Sequence, residues 1–400
     1  MRFTRTTTGL VGALSVALIL SACGSSNDTS DSSAQGPATS TSVPAPTSGG
    51  QALASDTAAA PSGSGAANPA EPTIEVPKGD TVKVTLITKD SVNPFWIAMQ
   101  NGAKQAAEAD NVDLTIAAGK ADGDEDGQVK AIEDAIARGD KGILIASNGP
   151  GVNPAIKKAR DAGLYVIALD TPTDPPDAVD ITFATDNFQA GELIGKWTAQ
   201  TMAGKPATIA MLDAFTDKVI SVDVQRDQGF LTGMGIDVKD KTVKGDEDKS
   251  GKYSGGDYTI ACQEPGQGAQ DGGKTAMETC LSKNPDINVV YTINEVTAAG
   301  AADALKAAGK SAIIVSVDGG CDPGIKDVKA GIIGATAQQY PLRMAKLGVD
   351  AITRIARGGS KPVPSDGLDF FNTGVNLVTD KAVPGVPSLT ADEGAKVCWG

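Results

Sequence analysis

The sequence predicts an α/β protein of two similar lobes, each a parallel sheet with helices on both faces. Two observations carry that prediction. One pattern is written twice: residues 142–170 read GILIASNGPGVNPAIKKARDAGLYVIALD, and residues 288–318 read NVVYTINEVTAAGAADALKAAGKSAIIVSVD. Each copy is an apolar strand ending in Asn (Asn148, Asn294), a helix stopped at Ala-Gly (Gly163, Gly309), and a second apolar strand ending in Asp (Asp170, Asp318). The other observation is alternation. From Thr81 onward, apolar runs at 82–87, 112–117, 142–146, 164–169, 206–212, 258–261, 288–293, 312–317 and 332–337 are separated by stretches of helical periodicity. That order builds parallel sheets layered with helices. Open α/β sheets take ligands at the C-terminal ends of their strands, so two lobes imply one polar cleft between them.

The elements before the body follow in order. Met1–Ala22 has the make-up of a secretory leader: Arg2 and Arg5, the apolar run Gly9–Leu20, then small residues. The run is too short to span a bilayer, which takes about 20 apolar residues. Leu20-Ser21-Ala22-Cys23 resembles the bacterial lipobox. That resemblance implies a diacylglyceryl group on Cys23, which becomes the mature N-terminus on the outer face of the cytoplasmic membrane. Residues 24–78 are mostly Ser, Thr, Ala, Gly and Pro, too poor in bulky apolar groups to offset the entropy of ordering them. They read as a flexible tether to a body that starts near Gly79. No later apolar stretch is long enough to cross a membrane.

Charge and composition narrow the function. The net charge is −14, and loss of Arg2 and Arg5 with the leader makes it more negative by two. Nucleic acid and anionic lipid are therefore poor partners. The chain has no His, which excludes Ser-His or Cys-His catalysis and a His-ligated metal. Besides Cys23, the cysteines are Cys262, Cys280, Cys321 and Cys398. An even number in an exported protein suggests two disulfides, in one of three connectivities. Cys262 ends a strand and Cys280 lies in the next helix, which makes them neighbours and leaves Cys321 with Cys398.

The segment Ile87-Thr88-Lys89-Asp90-Ser91-Val92-Asn93-Pro94-Phe95-Trp96 resembles the entry motif of sugar-binding proteins of bacterial ABC importers, of the ribose-binding type. Asp170, Arg226-Asp227-Gln228-Gly229-Phe230, Asn294-Glu295, Val317-Asp318-Gly319-Gly320 and Ala335-Thr336-Ala337-Gln338-Gln339 fit the same family in the same order, covering about residues 80–380. Ala168–Pro172, Ser316–Cys321, Gln338–Pro341 and the final Cys398-Trp399-Gly400 look most similar to its fructose-binding branch. The resemblance implies a periplasmic-binding-protein-like I fold with a hinge of three strands. The first lobe would comprise 79–186 and 340–372, the second 187–339 and 373–400. A Cys321–Cys398 bridge would then lie within the second lobe and leave the hinge free. The resemblance also implies a ligand set: Asn93, Asp170, Arg226, Asn294, Asp318 and Gln339 as polar contacts, Phe95 and Trp96 as stacking rings, and Lys89 and Asp90 at the cleft edge. Such a set suits a sugar, whose hydroxyl edge needs fixed donors and acceptors and whose C–H faces need an aromatic cover.

Departures from the ribose type shift the expected ligand. Val317 stands where that type has an aromatic, Thr171 where it has an Arg, and residues 262–272 offer no clear stacking ring. A ketohexose such as fructose fits better than ribose. A separate motif, Asp122, Asp124, Asp126, Gly127 and Glu133, matches the EF-hand loop pattern. A strand rather than a helix leads into it, so the preferred reading is an acidic start to a helix over 127–138. No cofactor is expected. The leading function is capture of a monosaccharide and delivery to an ABC permease by a monomeric lipoprotein. The alternatives are a ligand-binding sensor feeding a signalling receptor, and a surface hydrolase built on paired carboxylates such as Asp170 and Asp318.

Overall fold

The computed structural model describes residues 73–400. The leader, Cys23 and the tether up to residue 72 lie outside the described residues. The strands are β1 (Val82–Thr88), β2 (Val112–Ala118), β3 (Gly142–Ile145), β4 (Tyr165–Leu169), β5 (Ile181–Ala184), β6 (Ala207–Asp213), β7 (Ser250–Lys252), β8 (Asp257–Pro265), β9 (Val289–Thr292), β10 (Ile313–Asp318), β11 (Ala335–Gln338), β12 (Phe371–Asn372) and β13 (Asn376–Val378). The helices are α1 (Pro94–Asp110), α2 (Glu125–Arg138), α3 (Asn153–Asp161), α4 (Asn187–Met202), α5 (Ser221–Met234), α6 (Gln270–Lys283), α7 (Glu295–Ala307), α8 (Lys326–Lys329), α9 (Pro341–Ala356) and α10 (Ala391–Gly394).

Two sheets form, in the orders β12-β5-β4-β3-β1-β2 and β13-β11-β10-β9-β6-β8-β7. Alternate residues of a strand face opposite sides, and here both sides are apolar. In the first sheet Val84, Leu86, Leu144, Ile167 and Leu169 pack under α1 and α9, while Ile87, Ile143, Ile145 and Val166 pack under α2 and α3. The second sheet repeats this with α4 and α5 on one face and α6 and α7 on the other. Near-continuous apolar runs are what a sheet covered on both faces demands.

The chain passes between the sheets three times, at 184–187, 338–341 and 372–376, which makes the three-strand connection. Both sheets are parallel except at two edges. β13 runs antiparallel to β11 because it follows directly on a crossing, and β7 is antiparallel to β8 because a short turn joins them. The tether also ends earlier than residue 78. Ile74 packs against the first-sheet core, and the Arg357 guanidinium donates to the carbonyls of Pro77 (2.7 Å), Asp80 (2.9 Å) and Asp110 (2.8 Å). Among the described residues no helix is long and apolar enough to cross a membrane. Cys262 and Cys280 (Cα–Cα 5.5 Å), and Cys321 and Cys398 (5.1 Å), sit at bonding distance.

In each sheet the opening strand lies inside rather than at an edge. β1 sits between β2 and β3, and β6 between β8 and β9. The chain therefore winds out in both directions from β1 and from β6, and a crevice opens where it turns back.

Candidate functional site

A cavity of about 60 Å³ lies at that crevice, lined by Lys89, Asn93, Asp122 and Asp170 from loops of the first sheet and by Phe95 and Trp96 from the start of α1. Arg226, Asn294, Asp318 and Gln339 close it from the other side. Ala214, Ile220, Val222, Gly268 and Ile293 complete the second wall.

Asn93 and Asn294 are held by helix caps. Asn93 Oδ1 accepts from the N–H of Phe95 at 3.0 Å, and Asn294 Oδ1 accepts from Thr297 N at 3.0 Å. A cap fixes the acceptor of the amide and so orients its NH₂ donors. Pro94 at the first position of α1 fits the same start, and brings Phe95 and Trp96 to the cavity edge-to-face at 4.8 Å.

Asp170 and Asp318 do not cap helices. Both have positive φ, 65° and 136°, which non-glycine residues adopt at a cost and which clusters at working sites. Asp318 Oδ1 accepts from Gln339 Nε2 at 2.8 Å and from Arg226 Nη1 at 3.5 Å. Burial pushes its carboxyl up to about 7, against the pull of Arg226. Asp170 Oδ2 accepts from the Thr171 hydroxyl at 2.9 Å. Its Oδ1 is buried without a hydrogen-bond partner, and burial raises its carboxyl despite Arg226 and Lys89. Arg226 is not a solvated surface residue. Its Nε donates to Asn187 Oδ1 and its Nη1 to the Ile293 carbonyl, both at 2.8 Å.

Asp90 does not line the cavity. Its Oδ1 accepts from the N–H groups of Val92 (2.7 Å) and Asn93 (2.8 Å), so it shapes the turn that delivers Asn93. The calcium pattern does not assemble either. Asp124 caps α2 through Gly127 N at 3.2 Å and takes Lys120 N at 2.9 Å, and those two N–H groups hold its carboxyl below the ordinary value. Glu133 pairs with Lys158 at 3.1 Å, and Asp126 lies in the first turn of α2. Among the described residues no group of three or more Asp, Glu, His or Cys is placed to hold a metal. A helix that starts directly at Glu125 carries these side chains apart instead of around one centre.

Asp122 has a different position, which sequence reasoning missed. It lines the cavity, with Lys89 Nζ at 3.8 Å, and its Oδ1 is buried without a hydrogen-bond partner. Lys89 Nζ also sits 5.7 Å from the centre of the Trp96 ring. Three further residues support the site from behind. Asn187 orients Arg226. Trp399 packs edge-on against Phe95 at 5.2 Å and donates its indole N–H to the Gln339 carbonyl at 3.0 Å. Lys244 pairs with Asp213 at 3.3 Å and with Asp223, while Asp223 Oδ1 accepts from Ala214 N at 2.8 Å and so fixes the Ala214 wall. Asn187 follows a capping Asp and Lys244 falls in a polar loop, so neither carries a sequence signal. The Cys398-Trp399 tail does carry one.

The arrangement can hold a small polyhydroxylated molecule. Asp122 Oδ1, Asp170 Oδ1 and Gln339 Oε1 are buried acceptors without hydrogen-bond partners, and all three residues line one cavity beside two aromatic rings. Leaving buried acceptors unpaired costs about 1–3 kcal/mol each, a penalty that a donor-rich ligand removes.

Comparison with known proteins gives one family. Residues 84–360 match the family described as periplasmic binding protein domain. The ribose import binding protein of Salmonella typhimurium is 26% identical over 280 residues, 70% of this chain and 86% of that protein. The D-apiose import binding protein of Actinobacillus succinogenes is 28% identical over 284 residues, 70% of this chain and 84% of that protein. A solved galactofuranose binding protein superposes with a TM-score of 0.63 at 25% identity, covering 79% of this chain and 97% of the other.

Proposed function

The chain belongs to the periplasmic binding protein domain family, and from that membership we propose that it captures a monosaccharide between its two lobes and hands it to an ABC permease. The observation that carries the sugar reading is the set of three buried acceptors without a hydrogen bond, on Asp122, Asp170 and Gln339, around Phe95 and Trp96. A sugar ring brings the hydroxyl donors those acceptors lack and a C–H face for the rings. Asp170 and Asp318 sit on opposite lobes, so a ligand bonded to both favours the closed arrangement by its differential contacts. The relatives described above are named for import of ribose and D-apiose and for binding of galactofuranose. Within the sugars, a fructose-like ketohexose is the ligand to test first, on the strength of Thr171 and Val317. The reading includes export, a lipid on Cys23 and disulfides at both cysteine pairs.

Isothermal titration of the purified mature chain against a panel of pentoses, aldohexoses and ketohexoses tests the proposal. Saturable binding of at least one, lost in Asp318→Ala, is expected. No binding by any sugar, or release of reducing sugar from an added glycan, contradicts it.

A further inference from the structure

The polar cavity encloses about 60 Å³, well below the range of about 300–1,000 Å³ usual for ligand pockets. A second chamber of about 430 Å³ lies beside it, again between the two lobes. Ile220 lines both. Thr171 links them chemically: it lines the outer chamber, and its hydroxyl is bonded to Asp170 at 2.9 Å. The lobes touch where the two spaces meet, the Ser221 hydroxyl donating to the Pro172 carbonyl at 3.3 Å.

The outer walls mix rings with polar groups. Phe188 and Phe370 supply aromatic surface, and Ser147, Thr173 and Gln225 supply hydroxyls and an amide. The Lys241 ammonium lies 4.5 Å from the centre of the Phe188 ring and holds that ring from one side. Rings beside hydroxyl and amide groups meet both the C–H face and the hydroxyl edge of a sugar. A ring bonded to Asp170 and Asp318 outgrows the inner cavity, and the adjoining room lies on the far side of Ile220.

We propose that the outer chamber is a second sugar subsite, so that the preferred ligand is a disaccharide with one ring on Asp170 and Asp318 and the other against Phe188. The inference rests on the sugar reading above and changes the size of the ligand, not its class.

Calorimetry on the mature chain tests it, with a panel of disaccharides and their component monosaccharides and with Phe188→Ala and Gln225→Ala. The best disaccharide should bind at least tenfold more tightly than either component. Phe188→Ala should erase that gain and leave monosaccharide affinity unchanged, and Gln225→Ala should act in the same direction. Equal affinities for mono- and disaccharides overturn the subsite while leaving the sugar reading standing. Equal weakening of both by Phe188→Ala also overturns it, because that marks a structural role. Failure of every saccharide to bind overturns both readings.

Discussion

The two copies of the repeated strand-helix-strand pattern end in the same residues and use them differently. In the first copy Asn148 gives its amide to three backbone carbonyls, Lys89 (3.1 Å), Ala121 (3.4 Å) and Asp124 (3.2 Å). It ties the loops after β1 and β2 into a wall. In the second copy Asn294 caps α7 and stays at the cavity. Asp170 keeps an unpaired oxygen, whereas Asp318 is wired to Arg226 and Gln339. Both cysteine pairs also lie in the half that holds the second copy. The second lobe's carboxylate is thus pre-organised, and the first lobe's leaves an acceptor for the ligand to satisfy. A duplicated scaffold does not impose duplicated chemistry, because the loops beyond the strand ends decide where each side chain is spent.

Substitutions can break or sharpen this contrast. The largest effect is expected at the Cys321 and Cys398 pair. Replacing Cys321 and Cys398 by Ala removes the proposed bridge, of sequence separation 77, and should lower unfolding free energy by about 4 kcal/mol in the chain-entropy model, as read by urea denaturation. A change near zero would show that the tail is held by Trp399 alone. Next, Asp318→Ala should weaken sugar binding by about 100-fold and also lower the melting temperature, because Arg226 and Gln339 lose a buried partner. Retained affinity would remove Asp318 from the site. Asp170→Asn should weaken binding by about tenfold while the melting temperature of the ligand-free protein holds or rises. A clear loss of ligand-free stability would mean that Asp170 is as pre-wired as Asp318.

The smallest effect is on pH dependence. Burial raises Asp318 to about 7. A carboxyl whose folded value lies above its unfolded one favours folding fully below the unfolded value near 3.8, and that contribution is lost as pH rises through the folded value. The stability of the ligand-free protein relative to Asp318→Asn should therefore fall as pH rises through about 7. A pH-independent difference would place the charge on another group, with Glu295, raised to about 8 by burial, the first to examine.

Much of the fold was legible because apolar runs covered on both faces have no competing reading once helices alternate with them. The runs at 142–146 and 312–317 became β3 and β10 within a residue or two at each end. The pieces that escaped are those whose pairing comes from tertiary position. β5 is four residues beside a Pro-rich turn, β12 is two residues, and β7 is exposed and polar. Within the site, residues that follow strands or start helices were readable, since their places are set by local geometry. Asp90 shows where that logic stops, because a carboxylate after a strand serves a turn as readily as a ligand. Asp122 shows the converse: in sequence it belonged to an acidic run read as the approach to a helix, and the fold sets it beside Lys89 at the cavity. Trp399 reaches Phe95 from more than three hundred residues away, which no local pattern encodes.

The central claim is that one sugar ring bridges Asp170 on the first lobe and Asp318 on the second. A thermal-shift screen of the mature chain and of the Asp170→Asn and Asp318→Asn variants, with the same saccharide panel, tests it most directly, because a ligand that binds only the folded state raises its stability by mass action. At least one saccharide should raise the melting temperature of the parent chain by several degrees, and each single variant should lose most of that rise. A shift that survives in both variants, or no shift with any saccharide, would contradict the account.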